Sequence, residues 1–282
     1  MPRLRKPIHA MKYPVGQEWH YRRILLAMNN QYKLILKKRM SPFVVEMATE
    51  ATDFTTLPTG EIRQDAGWEE QLLKIMLNIS KDMQGPTSKA IAQMIRIGPQ
   101  VNEYNKAEWK KLVRSQYGVD PLKEQQDKYT ALMSNWSRNN SLLIKDIPAK
   151  TSRQIAEQTR SALIDGVTVK DTTSAIFDIM SERTDVSDSR ARLIARDQVS
   201  KLNGQLTKER QEDLGVSNYI WRTVGDERVR DTHEDNDGEL FSWDSPPGET
   251  GHPGEDYQCR CWAEPVLPEF ALFEASLLEE AE

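Results

Sequence analysis

Cysteine is nearly absent: the 282 residues hold two, Cys259 and Cys261, too few for a disulfide framework. A bond between neighbours two positions apart is strained, so both are read as free thiols, as in a chain made in a reducing cytoplasm. Long apolar runs are missing too. Near the start the longest is Ile24 to Met28, far short of the roughly 20 residues that cross a bilayer. No apolar segment follows the basic first residues, so no secretory signal is expected. No glycine-rich phosphate loop, Gly-x-Ser-x-Gly or His-Glu-x-x-His occurs, which removes the familiar signatures of nucleotide binding, serine hydrolysis and zinc proteolysis. With 38% hydrophobic and 29% charged residues and a mean hydropathy of −0.66, the chain has enough apolar side chains for a core and too many for wholesale disorder.

What the sequence has in excess is charge, unevenly placed. Residues 1–40 carry ten Lys/Arg and one acid, a net +9, whereas residues 211–282 carry four Arg and nineteen acids, a net −15. Arg3, Arg5 and Lys6 in the first segment, with Arg22, Arg23, Lys37, Lys38 and Arg39 after it, are candidate contacts for a polyanion, in particular double-stranded DNA held without sequence specificity. A solvated arm, or one docked on an acidic partner, is the alternative.

Periodicity gives an α+β chain: a mostly helical N-terminal two-thirds, then a small β-containing module. Residues 1–17 read as an extended basic arm, 18–148 as a helical region, 149–267 as helices followed by strands, and 268–282 as an acidic tail. Apolar residues at helical spacing predict helices over 18–40, 61–82, 87–115 and 121–145. Pro42, Gln84-Gly85-Pro86, Gly118 to Pro121 and Pro148 read as stops, and Gly98-Pro99 as a break. Three more helices are expected over 151–213, separated at Asp165-Gly166 and at Ser187, with a capping box at Thr168 and Asp171. After Gly215, strands are expected at 219–224, 240–243 and 258–267, with a turn at Asn236-Asp237-Gly238. Alternation along the last strand places Cys259, Cys261 and Ala263 on one face. Trp221, Trp243 and Trp262 fall one to a strand and are expected to pack together.

Two clusters bear chemistry. His233 and His252, brought over Cys259 and Cys261, make a two-cysteine, two-histidine set of the kind zinc prefers. Small buried, inert thiols are the alternative. The second cluster, Asp226 to His233, has an acid–histidine combination, Asp226, Glu227 and His233, that suits a metal-dependent nuclease or toxin-like effector. A turn salt-bridged by Arg228 and Arg230 is the plainer reading.

These pieces also stand in a familiar order. Arg190-Ala191-Arg192-Leu193-Ile194-Ala195-Arg196 is followed by Gly215, Tyr219-Ile220-Trp221, Gly225-Asp226-Glu227-Arg228-Val229-Arg230-Asp231-Thr232-His233, Gly238, Pro246-Pro247, His252-Pro253 and Cys259-Arg260-Cys261. As a set, over about residues 150–267, they resemble the Mu F-like minor head proteins, head-morphogenesis proteins of tailed phages and prophages. The family usually follows Ile-Ala-Arg with Thr-Glu; Asp197 and Gln198 stand here instead, and Gln198 cannot act as an acid or base. The resemblance implies a structural minor capsid protein, made in the bacterial cytoplasm and placed in the virion. Its implied partners are the portal protein, major capsid or scaffold proteins and DNA, with no membrane. Arg196, Asp226, Arg228 and Arg230 would then be motif residues, and zinc a clamp on a module with little core of its own.

Overall fold

The computed structural model describes residues 9–55, 67–121, 126–166 and 168–267. Helices α1 (Val15–Met40), α2 (Val44–Thr55), α3 (Gly67–Asp82), α4 (Gln84–Met94), α5 (Ile97–Tyr117), α6 (Gln126–Asp165) and α7 (Val169–Asp213) come first. Strand β1 (Asn218–Arg222), one helical turn α8 (Asp231–Glu234), β2 (Leu240–Ser242) and β3 (Trp262–Pro265) follow. The α+β reading therefore holds, with the sheet confined to the C-terminal part. Arg3, Arg5 and Lys6 and the acidic tail lie outside the described residues. Of the expected arm, Val15 to Gln17 are already helical.

The chain divides into two compact units, and α1, α6 and α7 supply residues to both. One unit comprises Tyr21–Met94 and Asn139–Ile194. Its helices form because apolar side chains recur every three or four residues: along α1, Tyr21, Ile24, Leu25, Met28, Tyr32, Leu36 and Met40 are buried. The two buried tyrosines keep their hydroxyls satisfied, Tyr21 on Asn140 Oδ1 at 2.7 Å and Tyr32 on Ser152 Oγ at 2.8 Å. Pro42 ends α1, as expected, in a short 3-10 turn. Helix α2 was not expected, yet Val44, Met47, Ala48 and Ala51 are buried at helical spacing.

Several proline and serine signals acted differently from their sequence reading. The helix expected to stop before Gln84-Gly85-Pro86 does so, α3 ending at Asp82, but the same residues also open α4, because a first-turn proline gives up no intrahelical bond. The break before α5 falls at Ile95-Arg96, which leaves Gly98-Pro99 in its first turn. Pro148 does not end α6; it sits inside it, so the expected boundary near 148 is interior to one helix. An interior proline costs about 3 kcal/mol. Ile144, Ile147 and Ile155 around it are fully buried, and at about 1.5–3 kcal/mol each their packing outweighs that cost. Helix α7 also runs unbroken through Ser187. Near that point Lys33 reaches Asp188 at 2.7 Å and Asp185 at 3.2 Å, and Asn29 Nδ2 donates to Asp188 at 3.1 Å. The hydroxyl half of the capping box at its start forms as expected, with Asp171 N donating to Thr168 Oγ1 at 3.2 Å, while the Asp171 carboxylate accepts from the Thr168 hydroxyl at 2.8 Å.

The other unit comprises Met1–His20, Ile95–Arg138 and Ala195–Glu282. Helix α5 ends at Gly118, whose φ of 78° lets its N–H return to Arg114 O at 2.9 Å. Residues 9–13 are not a free arm. Met11 packs with Trp109, Leu112 and Val113, and Lys12 N donates to Glu108 Oε2 at 3.3 Å. Arg210 of α7 is buried, with Nη1 on Asn105 Oδ1 at 2.7 Å, Nη2 on Asn102 Oδ1 at 2.6 Å, and the Tyr129 ring 4.5 Å from its guanidinium carbon.

The sheet is antiparallel in the order β2-β1-β3. Tyr219 and Trp221 of β1 face its core, with Trp243, Cys259 and Ala263. Trp262 does not join the other two tryptophans; it packs against the Met11–Trp109 cluster on the other side. Gln211 ties α7 to the sheet, accepting from Trp243 Nε1 at 3.1 Å and donating to Ala263 O at 2.8 Å. The third strand is shorter than the expected 258–267, so Cys259 and Cys261 precede it in irregular backbone.

Candidate metal centre

The thiols are brought together by a loop laid on α7. Gly204 of α7 and Gly254 of the loop approach so closely that a Cβ on Gly204 would stand 2.6 Å from Pro253 O, and one on Gly254 3.2 Å from Gly204 Cα. Gly254 also has a φ of 95°, which other residues avoid. Three polar contacts fix the descending chain. Ser200 Oγ donates to Cys259 O; Asp197 Oδ1 accepts from Gln258 N at 3.1 Å; Gly254 N points at Cys259 Sγ, 3.4 Å away. Gln258 is held there in the left-handed region, at φ 55°. Both polar anchors, one turn apart on α7, went unread in the sequence. So did Asp256.

Opposite the loop, the single turn α8 presents His233. Its Nδ1 lies 3.6 Å from Cys259 Sγ and 3.4 Å from Cys261 Sγ. Its Nε2 lies 3.0 Å from Asp256 Oδ2, and Trp221 packs edge-on against the ring at 5.3 Å between centroids. Asp256 accepts from Nε2–H, so Nδ1 is the ring nitrogen that faces both sulfurs, and the His233 pKa is raised, first by its hydrogen bond to Cys259 and then by Asp256. Cys259 is pulled down to about 5, first by its hydrogen bond from Cys261 and then by His233 and the N–H groups of Gly254 and Cys261. Cys261 is pushed up, because Cys259 already holds the negative charge and burial opposes a second. The Trp221 indole N–H is buried with no hydrogen-bond partner and favours the Cys261 thiolate.

The expected four-residue set is corrected to three. His233, Cys259 and Cys261 place their donor atoms within 4.8 Å of one another. His252 is elsewhere: its Nδ1 meets the Tyr219 hydroxyl at 2.9 Å and its ring packs on Trp243. The reason is the β1 alternation, which sends Tyr219 and Trp221 to different parts of one face, each taking one histidine.

The motif arginines ring the same place. A cavity of about 190 Å³ is lined by the three donor residues and by Arg196, Arg228, Arg230 and Arg260. Arg260 holds Asp226 with both η nitrogens; Arg230 holds Asp256 Oδ2 and Tyr257 O, each at 2.5 Å. Arg196 Nε is buried without a partner. Asp226 is thus consumed by an arginine and held below its ordinary range, and Glu227 is exposed. Among the described residues neither joins His233 in a metal-binding group, so the acid–histidine cluster expected for a nuclease is not assembled. Of the basic candidates on α1, Arg39 is paired with Asp82 at 2.7 Å, Arg22 is half-buried, and Arg23, Lys37 and Lys38 are exposed. No described helix is long and apolar enough to cross a membrane.

Residues 153–264, which contain the whole of this site, match the family described as phage Mu protein F like protein. An uncharacterized protein of Haemophilus influenzae is 29% identical over 246 residues, which is 85% of this chain and 54% of the relative. The chain therefore spans about half the length of the curated relative it matches. No solved structure matches it.

Proposed function

We propose, from the match of residues 153–264 to the phage Mu protein F like family, that the chain is a minor head protein acting structurally in phage head morphogenesis. The single observation that carries this reading is the family match, which includes every residue of the thiol–histidine site. A structural role suits the geometry around it. Asp226 is spent on an arginine that braces a loop, and Gln198 stands where the resemblance leads one to expect Glu, with its main-chain carbonyl accepting from Trp136 Nε1 at 2.8 Å. The partners in this reading are other head proteins, the portal first among them. Exposed Lys37 and Lys38 near the end of α1 offer a non-specific phosphate contact.

The test is genetic and compositional. In a phage that encodes the chain, purified heads contain it, cross-linking captures it on the portal, and its deletion leaves defective heads. Normal heads in its absence would overturn the assembly role. Lys37→Glu/Lys38→Glu lowers affinity for duplex DNA and flattens its salt dependence by about 1 per lost phosphate contact. An unchanged salt slope rejects the DNA contact and leaves the head role standing.

A further inference from the structure

We propose that His233 Nδ1, Cys259 Sγ and Cys261 Sγ hold one zinc ion, with Asp256 orienting the histidine and a fourth position, in the arginine-lined cavity, taken by an exchangeable anionic oxygen. Distance is the first argument. Zinc bonds of about 2.3 Å to sulfur and about 2.0–2.1 Å to nitrogen, at tetrahedral angles, put N and S roughly 3.5 Å apart. The two observed separations are 3.6 and 3.4 Å. A neutral imidazole nitrogen directs one proton or one lone pair, so an ordinary hydrogen bond accounts for one sulfur, while a shared cation accounts for both.

The surroundings agree. A metal-bound histidine regularly gives its other ring nitrogen to a carboxylate, and Asp256 stands at that nitrogen at 3.0 Å. Paired thiolates need N–H donors, and the backbone N–H groups of Gly254 and Cys261 both reach Cys259 Sγ at 3.4 Å. The Trp221 indole N–H, buried without a partner, has a place on the second sulfur once it is ionised. Two thiolates and a neutral histidine leave a dipositive ion uncharged, so a fourth anion draws on the arginines. Among the described residues no fourth protein donor joins the group, and the cavity that the three donors line also carries Arg196, with its buried, unpartnered Nε, and Arg228.

The full chain purified without chelator is expected to carry one zinc per chain by elemental mass spectrometry, released when a mercurial titrates the two thiols. Asp256→Asn is expected to bind zinc about 10–100-fold more weakly in competition with a chromophoric chelator, with circular dichroism unchanged; equal affinity would remove Asp256 as a positioning residue. With cobalt in place of zinc, inorganic phosphate is expected to shift the visible bands. A spectrum indifferent to phosphate overturns the open position. Folded protein with no metal after zinc reconstitution, or with a Cys259–Cys261 disulfide as its resting state, overturns the centre itself.

Discussion

Gly204→Ala changes sign according to whether the loop really lies on α7. In a helix interior, alanine is favoured over glycine by about 0.8–1.0 kcal/mol, so on propensity alone the substitution stabilises. Here the new Cβ meets Pro253 O at 2.6 Å and Gly254 Cα at 3.3 Å, where ordinary contact begins at 3.4 Å. Both obstacles are backbone and cannot rotate away. The loop must lift, at an overpacking cost of about 1–3 kcal/mol. Lifting strains the Ser200–Cys259 and Asp197–Gln258 hydrogen bonds, each worth about 1 kcal/mol. The net expectation is a loss of up to about 2 kcal/mol, set from these two opposing ranges. Equilibrium urea unfolding measures it, with Gly16→Ala in α1 as the control, since nothing lies within 4 Å of that Cβ. A stabilised Gly204→Ala protein with an unchanged thiol environment would refute the close approach, and with it the account of how the cysteine loop is positioned.

Other perturbations follow from the same packing. Asn105→Ala removes the acceptor of buried Arg210 Nη1 and the donor to Thr207 and Asn203; a loss of about 3 kcal/mol in thermal or urea unfolding is expected, and a neutral result would dissolve the network. His252→Phe should retain the metal that His233→Phe loses, at a cost of about 1 kcal/mol for the stranded Tyr219 hydroxyl; loss of zinc in both would restore the two-histidine set. Glu108 is 3% exposed. Burial pushes its pKa up, but Lys111, the Lys12 N–H and His9 together bring it below the ordinary carboxylate value. A depressed folded pKa stabilises above the unfolded pKa and fades as pH falls through the folded one. The stability gap between wild type and Glu108→Gln should therefore close in acid; a gap that widened there would reverse the assignment.

The helices and the sheet were legible because burial imprints its period on the sequence. Tyr21 to Met40 recur at helical spacing, and Tyr219 and Trp221 alternate on β1. Capping chemistry is equally local, and the Thr168 hydroxyl accepts from Asp171 N as its spacing implies. Pro148 and Ser187 misled because a breaker signal weighs only the local chain, whereas the isoleucines around Pro148 and the α1 partners of Asp185 and Asp188 are long-range terms. The sequence also reads Asp53 to Gly60 as a loop; Asp53 to Thr55 end α2 instead, and 56–60 lie outside the described residues.

The candidate site divides in the same way. Sequence alone determined the donor types: two thiols two apart, a histidine in a Gly-Asp-x-Arg-x-x-x-His run, and the arginines beside them. Those are matters of residue identity. Only the tertiary structure decided which histidine meets the thiols. That choice depends on Gly204 and Gly254 letting two backbones touch, on Asp197 and Ser200 pinning the loop to α7, and on Tyr219 claiming His252 while Asp256 turns His233. These contacts join residues far apart along the chain, and a one-dimensional pattern has no term for a backbone approach of that kind.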